Sequence, residues 1–434
     1  MDDLTRKEFL VASGATAGAL WAGNAMGLAG MGGPEAAAAT TAAATATGKG
    51  ATQAELARRL IQNNWYLPVE ELAPDEMRIS FMGTNYIART GQAMNSVFIE
   101  VGTGQSFVFD CGSGVIAKYT AMGVPASRMT KVFVSHLHAD HMSDLVALYC
   151  FGPAHDRKTP LHIYGPSGPI LKGVVYNDQG TKAFCKNLLA LCKWHSEAMS
   201  FMNTGLTNGE DGYQIVSHEL PYRKVGGEAY KDKDVLVTHF PVAHDRDGSI
   251  GYKLEWNGMK VVFSGDTKPT KWMLEQGKGV DVLIHEMALS PETWAYKNAG
   301  LTPADGDAYD QAYALLKQVQ DNSHTPEEAL GEIFAVTKPK LGVITHCQMN
   351  QDTLIEGVSA VREHYDGDLA WATDLVVLNL QPGQPIKQRM GLVSDYAWDI
   401  NTKTYDNVAP PKYNGPYAQF SGFTMNGILP QYKK

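Results

Sequence analysis

An α/β fold is what this chain of 434 residues predicts, and three observations predict it. Short apolar runs of strand length recur, each ending near a histidine or aspartate. A hairpin signal joins two of them, and stretches of helical character lie between. The first run, Lys131-Val132-Phe133-Val134, delivers Ser135-His136-Leu137-His138-Ala139-Asp140-His141, after which residues 142–149 read as a helix. Residues 251–256 and 259–263 flank Asn257-Gly258, a strong two-residue hairpin signal, and lead into Ser264-Gly265-Asp266-Thr267. A further run, residues 338–345, closes on His346. Helical character also marks residues 183–195, and Thr325-Pro326-Glu327-Glu328 reads as a helix start after Ser323.

Three imidazoles and a carboxylate within six residues make residues 136–141 a predicted metal site. In an extended segment His136 and His138 point to the same side, because strand side chains alternate. Asp140 and His141 sit where the chain turns into helix, so they address a second position a few ångströms away. An isolated His-x-His would more often be a surface turn, but the whole cluster at a strand end argues against that. Nitrogen and carboxylate donors suit zinc best, with manganese, iron or nickel as competitors. More ligands are needed, and other strand ends are where to seek them. His244 follows one strand-like run, Asp266 another and His346 a third; His239, inside the first of these runs, is a rival ligand but reads as packing.

The His136-x-His138-x-Asp140-His141 pattern resembles the signature of the metallo-β-lactamase superfamily, and the resemblance covers roughly residues 77–385. It implies a four-layer αββα sandwich with a helical insert between the second and third metal motifs. It also implies two metals, expected to be two Zn²⁺, with Mn²⁺ or Fe as substitutes. By that match His136, His138 and His244 hold one, Asp140, His141 and His346 the other, and Asp266 bridges them. Phe107-Val108-Phe109-Asp110 matches the place of a buried aspartate that supports the ligand loop from behind, and Thr267 of Gly-Asp-Thr is assigned a similar supporting role. Pro160-Leu161-His162-Ile163-Tyr164-Gly165 is similar to a strand and turn of the ribonuclease Z branch and its arylsulfatase-like relatives, where His162 is more often core than ligand. The catalytic region is also similar to a branch labelled for guanitoxin biosynthesis, a label that names no reaction.

The same resemblance supplies the chemistry. A hydroxide bridging two cations needs no side-chain nucleophile, because a bound metal lowers the pKa of water from 15.7 to about 7. A proton donor for the leaving oxygen is still required. His285-Glu286-Met287-Ala288 and Ser323-His324-Thr325 resemble two ribonuclease Z segments in which a glutamate orients a histidine. Glu286 is thus expected to orient and His324 to donate, with Asp140 counted among the catalytic groups. Met287-Ala288 departs from the family's Ala-Thr.

Composition bounds the rest. Hydrophobic residues make up 44% and charged residues 19%, enough apolar material for a large core. Thr5-Arg6-Lys7-Glu8-Phe9-Leu10 and the Gly/Ala-rich stretch to residue 33 resemble a twin-arginine export signal, with Lys7 in place of the second arginine. The expected location is periplasmic or extracellular, against the plainer reading of a disordered cytoplasmic tail. Residues 34–55 read as a low-complexity linker, 56–385 as the catalytic domain and 386–434 as an aromatic-rich extension that wraps back or joins a homodimer. No later run is apolar enough to span a bilayer, which takes about 20 such residues. Five cysteines without a close pair predict no disulfide framework, and Cys347 beside His346 reads as packing.

A net charge of −9 disfavours long nucleic acid as a partner, since such binding rests on many Lys and Arg contacts to phosphate. The insert at about 171–234 carries eight basic and eight acidic residues, with no basic RNA-clamping arm. It reads instead as a lid, with Trp194, His195, Met199 and Phe201 expected to wall a pocket, although such a stripe is more often core. The sequence therefore predicts a zinc-dependent hydrolase of a small phosphodiester. An aryl or alkyl sulfatase, a β-lactamase or lactonase, a diiron redox protein and a structural metal-binding module are the alternatives.

Overall fold

The computed structural model describes residue 55 and residues 63–66, 70–202 and 212–393. The expected export segment 1–33, the linker up to residue 54, the tail beyond 393 and the Phe201 side chain lie outside the described residues.

Two sheets carry the fold. The first has nine strands among the described residues, in spatial order Trp65–Tyr66, Lys387–Gly391, Val376–Leu380, Met77–Gly83, Ser96–Val101, Ser106–Phe109, Lys131–Phe133, Leu161–Pro166 and Ile215–Leu220. The second has seven: Gly227–Asp232, Val235–Pro241, Ile250–Trp256, Met259–Phe263, Val282–Glu286, Leu341–Thr345 and Leu369–Trp371. Each sheet is antiparallel on one side and parallel on the other, save that Trp65–Tyr66 adds a parallel pair at the antiparallel edge of the first. Asn257 (φ 48°) and Gly258 (φ 75°) make the predicted hairpin turn, in which both central residues need positive φ.

Side-chain alternation explains the layering. Phe107 and Phe109 of one strand face Tyr252 and Val261 of the other sheet, while Val108 between them turns outward. Val282 and Ile284 likewise face inward and Leu283 outward. The outward residues of the first sheet pack under the helices Val115–Ala121, Leu145–His155 and Thr181–Leu191. Those of the second pack under Lys271–Gln276, Glu327–Thr337 and Gln351–Arg362. Strands covered on both faces read as continuous apolar runs, which is how the sequence betrayed them. The result is the expected αββα sandwich, and no helix among the described residues is long and apolar enough to cross a membrane.

Two expected boundaries need correction. Residue 385 falls inside a hairpin, since Lys387–Gly391 pairs with Val376–Leu380. Gln381-Pro382-Gly383-Gln384 makes the tight turn of that hairpin, with Gly383 at φ 73°. The insert is helical only in part. Thr181–Leu191 and Lys193–Met202 are helices, but Ile215–Leu220 extends the first sheet and Gly227–Asp232 the second.

Candidate metal centre

Parallel strands present their carboxyl ends along one edge, and the predicted ligands follow those ends. His136 to His141 come after Lys131–Phe133, His244 after Val235–Pro241, Asp266 after Met259–Phe263 and His346 directly after Leu341–Thr345. Gly265 permits the approach of two of these loops: its φ is +59°, and a Cβ there would meet the Ser135 Cβ at 2.6 Å. Asp110 (φ 58°) and His346 (φ 63°) also hold left-handed backbone, a conformation that costs a non-glycine residue energy and gathers at functional sites.

All seven predicted ligands converge, in two groups. His138 Nδ1 lies 3.0 Å from His136 Nε2 and 3.1 Å from His244 Nε2. In the second group His141 Nε2 is 3.1 Å from Asp140 Oδ2 and 3.2 Å from Asp266 Oδ2, and His346 Nε2 is 3.1 Å from Asp140 Oδ2 and 3.2 Å from Asp266 Oδ1. Asp266 Oδ2 also faces the first group, 3.8 Å from His136 Nε2 and 3.7 Å from His244 Nε2.

The groups around these donors fix which nitrogen faces inward. His141 Nδ1–H donates to Asp110 Oδ2 at 2.6 Å, and His244 Nδ1–H donates to the Ser323 carbonyl at 2.8 Å. Ser135 Oγ–H donates to Asp110 Oδ2 at 2.8 Å, which leaves its oxygen to accept from His136 Nδ1–H at 3.1 Å. That leaves Nε2 of His136 and His244 to face His138 Nδ1, and Nε2 of His141 to face the Asp140 and Asp266 carboxylates. Asp110, fully buried, also accepts the Ser135 backbone N–H at 2.7 Å, so it braces the ligand loop from behind as expected. Thr267 accepts from the Ala243 N–H at 3.1 Å and thereby ties the Asp266 loop to the His244 loop.

Such donor sets suit cations. Nitrogen and oxygen ligands sit about 2.0–2.2 Å from zinc, which puts tetrahedral neighbours roughly 3.3 Å apart, close to the observed spacings. His141 Nε2 and Asp266 Oδ1 are buried without a hydrogen-bond partner among the described residues, which is costly unless a cation satisfies them. Burial opposes charge throughout, yet the facing Asp266, Asp110 and Asp140 carboxylates hold the His141 imidazole well above its ordinary pKa. The same histidines hold Asp266 well below the usual carboxylate range.

Beside the cluster, His324 Nδ1–H donates to Glu286 Oε1 at 3.0 Å, and the Thr267 backbone N–H donates to the same oxygen at 2.7 Å. Glu286 is buried at the end of Val282–Glu286, and His324 directly follows the helix Asp307–Ser323. The His324 ring stands 4.9 Å from that of His244 and 5.8 Å from that of His346. Burial pulls the His324 pKa down, but the Glu286 carboxylate outweighs it and pushes the imidazole up to about 9.

Other predicted residues lie elsewhere. Trp194 is 82% exposed, and His195 bonds the Cys150 carbonyl at 2.8 Å; neither lines the clefts at the centre. Their helix packs back on Leu145–His155, with Met199 against that core and Trp194 turned to solvent, so the expected pocket wall is withdrawn. His239 is buried, bonded to the Pro221 carbonyl at 3.1 Å, and His162 pairs with His218 at 3.0 Å. Cys347 is buried and packs under the second sheet. Missed by sequence reasoning were Ser135, the Ser323 carbonyl, Tyr86 and Trp294. Ser135 lay inside the motif and its hydroxyl could have been flagged; the others carry no local signal.

Two clefts open onto the cluster. One, of about 340 Å³, runs past Ser167, Gln179 and Arg246; the other, of about 220 Å³, past His324, Tyr86, Leu289 and Trp294. His138 and His244 line both.

Comparison with known proteins agrees with this architecture. Residues 89–323 match the family described as the metallo-beta-lactamase superfamily. Ribonuclease Z of Brevibacillus brevis is 26% identical over 258 residues, 53% of this chain and 77% of that protein. Ribonuclease Z of Mycobacterium bovis is 29% identical over 219 residues, 48% of this chain and 69% of its own. Among solved structures, the metallo-beta-lactamase fold protein YhfI from Bacillus subtilis aligns over 70% of this chain and 100% of its own, with TM-score 0.49 and 16% identity.

Proposed function

The chain belongs to the metallo-beta-lactamase superfamily, as a hydrolase of that group, and on that premise we propose that it cleaves a small phosphodiester at a two-metal centre. The observation that carries this reading is the Glu286–His324 pair set beside a cluster of five histidines other than His324 and two carboxylates that matches a split ligand set. His136, His138 and His244 would hold one cation, Asp140, His141 and His346 the other, with Asp266 shared. When bound, such a pair acidifies water and neutralises charge growing on ester oxygens.

The chain's own residues do the rest. Asp110, Ser135 and the Ser323 carbonyl orient the ligand imidazoles, so little reorganisation is left for the reaction itself. Glu286 holds His324 by Nδ1, which leaves Nε2–H to donate to a departing alkoxide. The raised pKa keeps that proton in place at neutral pH.

The relatives named ribonuclease Z support phosphodiester chemistry. A net charge of −9 and an insert with balanced charge support a small substrate over a long RNA. The test is a screen of bis-p-nitrophenyl phosphate, p-nitrophenyl phosphate, p-nitrophenyl sulfate and nitrocefin, run with elemental analysis. Fastest turnover of the diester with two metals per chain is expected. Preference for the sulfate or for nitrocefin would replace the reading.

A further inference from the structure

We infer that the group released by this enzyme is an alcohol built on a single aromatic ring, seated against Trp294 and Tyr86. The inference rests on the phosphodiesterase reading and names the substrate class it implies. The two clefts share His138 and His244, so they open on two sides of one centre and offer one side to each of the two ester substituents of a diester. Only the smaller is lined by His324. The leaving oxygen takes its proton from His324, so the released alcohol occupies that side and the retained part occupies the side of Arg246 and Gln179.

The smaller cleft is shaped for a ring. Trp294, from the helix Pro291–Ala299, and Tyr86, from the loop after Met77–Gly83, meet edge to face, with centroids 5.7 Å apart and planes at 76°. The Trp294 indole N–H donates to the Tyr86 hydroxyl at 2.8 Å, and that hydroxyl donates to Asn298 Oδ1 at 3.5 Å, so the polar ends of both rings are engaged. Trp294 stands 6.3 Å from His324 and Tyr86 6.1 Å from His346, so the pair overlooks the reacting position. Leu289 and Met287 supply an apolar wall. The volume, about 220 Å³, exceeds the roughly 150 Å³ in which a protein cavity holds benzene.

The test uses non-hydrolysable probes on the metal-loaded full chain. Phenylphosphonate and methylphosphonate differ only by the ring, and calorimetric titration of each reads binding without turnover. The wild type is expected to bind phenylphosphonate about tenfold more tightly, the scale of a stacked, desolvated ring. Trp294→Ala should erase that preference with methylphosphonate affinity and metal content unchanged, and Trp294→Phe should restore most of it. Equal affinity of the wild type for both probes, or a ring preference that survives in Trp294→Ala, would overturn the inference. Because turnover is not the readout, failure of diester hydrolysis in the substrate screen strikes the phosphodiesterase reading separately.

Discussion

Replacing His324 by alanine tests the chemistry most directly, because the effect should depend on the leaving group. General acid catalysis contributes roughly 10²–10⁴-fold, or about 3–5 kcal/mol of barrier, when the departing oxygen is strongly basic. It contributes little when the leaving group departs as a stable anion. Methyl phenyl phosphate should therefore lose about 10²-fold or more in kcat in His324→Ala, whereas methyl p-nitrophenyl phosphate should lose less than about tenfold. The pH profile gives an independent reading. The donor is active while protonated, and the Glu286 carboxylate at 3.0 Å outweighs burial to raise its pKa to about 9. Activity carried by that proton is thus present at neutral pH and lost as pH rises toward 9; cations held by His244 and His346 would oppose a charged imidazole and pull the falling limb lower. The variant should lack this limb and retain its metal content. An equal loss for both diesters, or full activity on methyl phenyl phosphate, would remove the proton-donor assignment.

Asp266→Ala takes away the carboxylate that faces both ligand groups; hydrolysis should vanish and elemental analysis should show reduced metal, while circular dichroism stays native. Asp110→Asn leaves the ligands intact but weakens the brace on His141, and a loss of about 10–100-fold in metal affinity is expected by chelator competition; unchanged affinity would deny Asp110 its role. Glu327 lies buried away from the centre, and burial with the nearby Glu356 carboxylate raises its pKa from 4.5 to about 8. A raised carboxyl pKa favours the folded state at low pH and loses that advantage as pH climbs from 4.5 to about 8, on the order of 5 kcal/mol at about 1.4 per pH unit. Glu327→Gln should therefore be the more stable protein at pH 8 by urea unfolding, with a flatter pH dependence, and identical pH slopes would refute the assignment.

What could be read from the sequence depended on how local each feature is. Residues 136–141 announce themselves because six consecutive residues contain four donors, and chain geometry alone sends them to two positions. His244, Asp266 and His346 are far apart in sequence but share one device, a buried strand that runs out at the sheet edge, and parallel neighbours line up such ends automatically. Repetition of a local pattern can thus report a non-local site. Trp194 shows where this fails. An amphipathic helix declares that one face is buried without saying against what, and its neighbour on Leu145–His155 took the apolar face and left the indole in solvent. Ser323 acts through its backbone carbonyl, an atom every residue possesses, so no sequence pattern could mark it. Tyr86 and Trp294 stand 208 positions apart and meet only because a loop of the first sheet and a helix beyond the second close over the same edge. The ligands are set by strand ends and are legible; the walls that choose a substrate are set by how the two halves of the sandwich meet, and only the folded chain displays them.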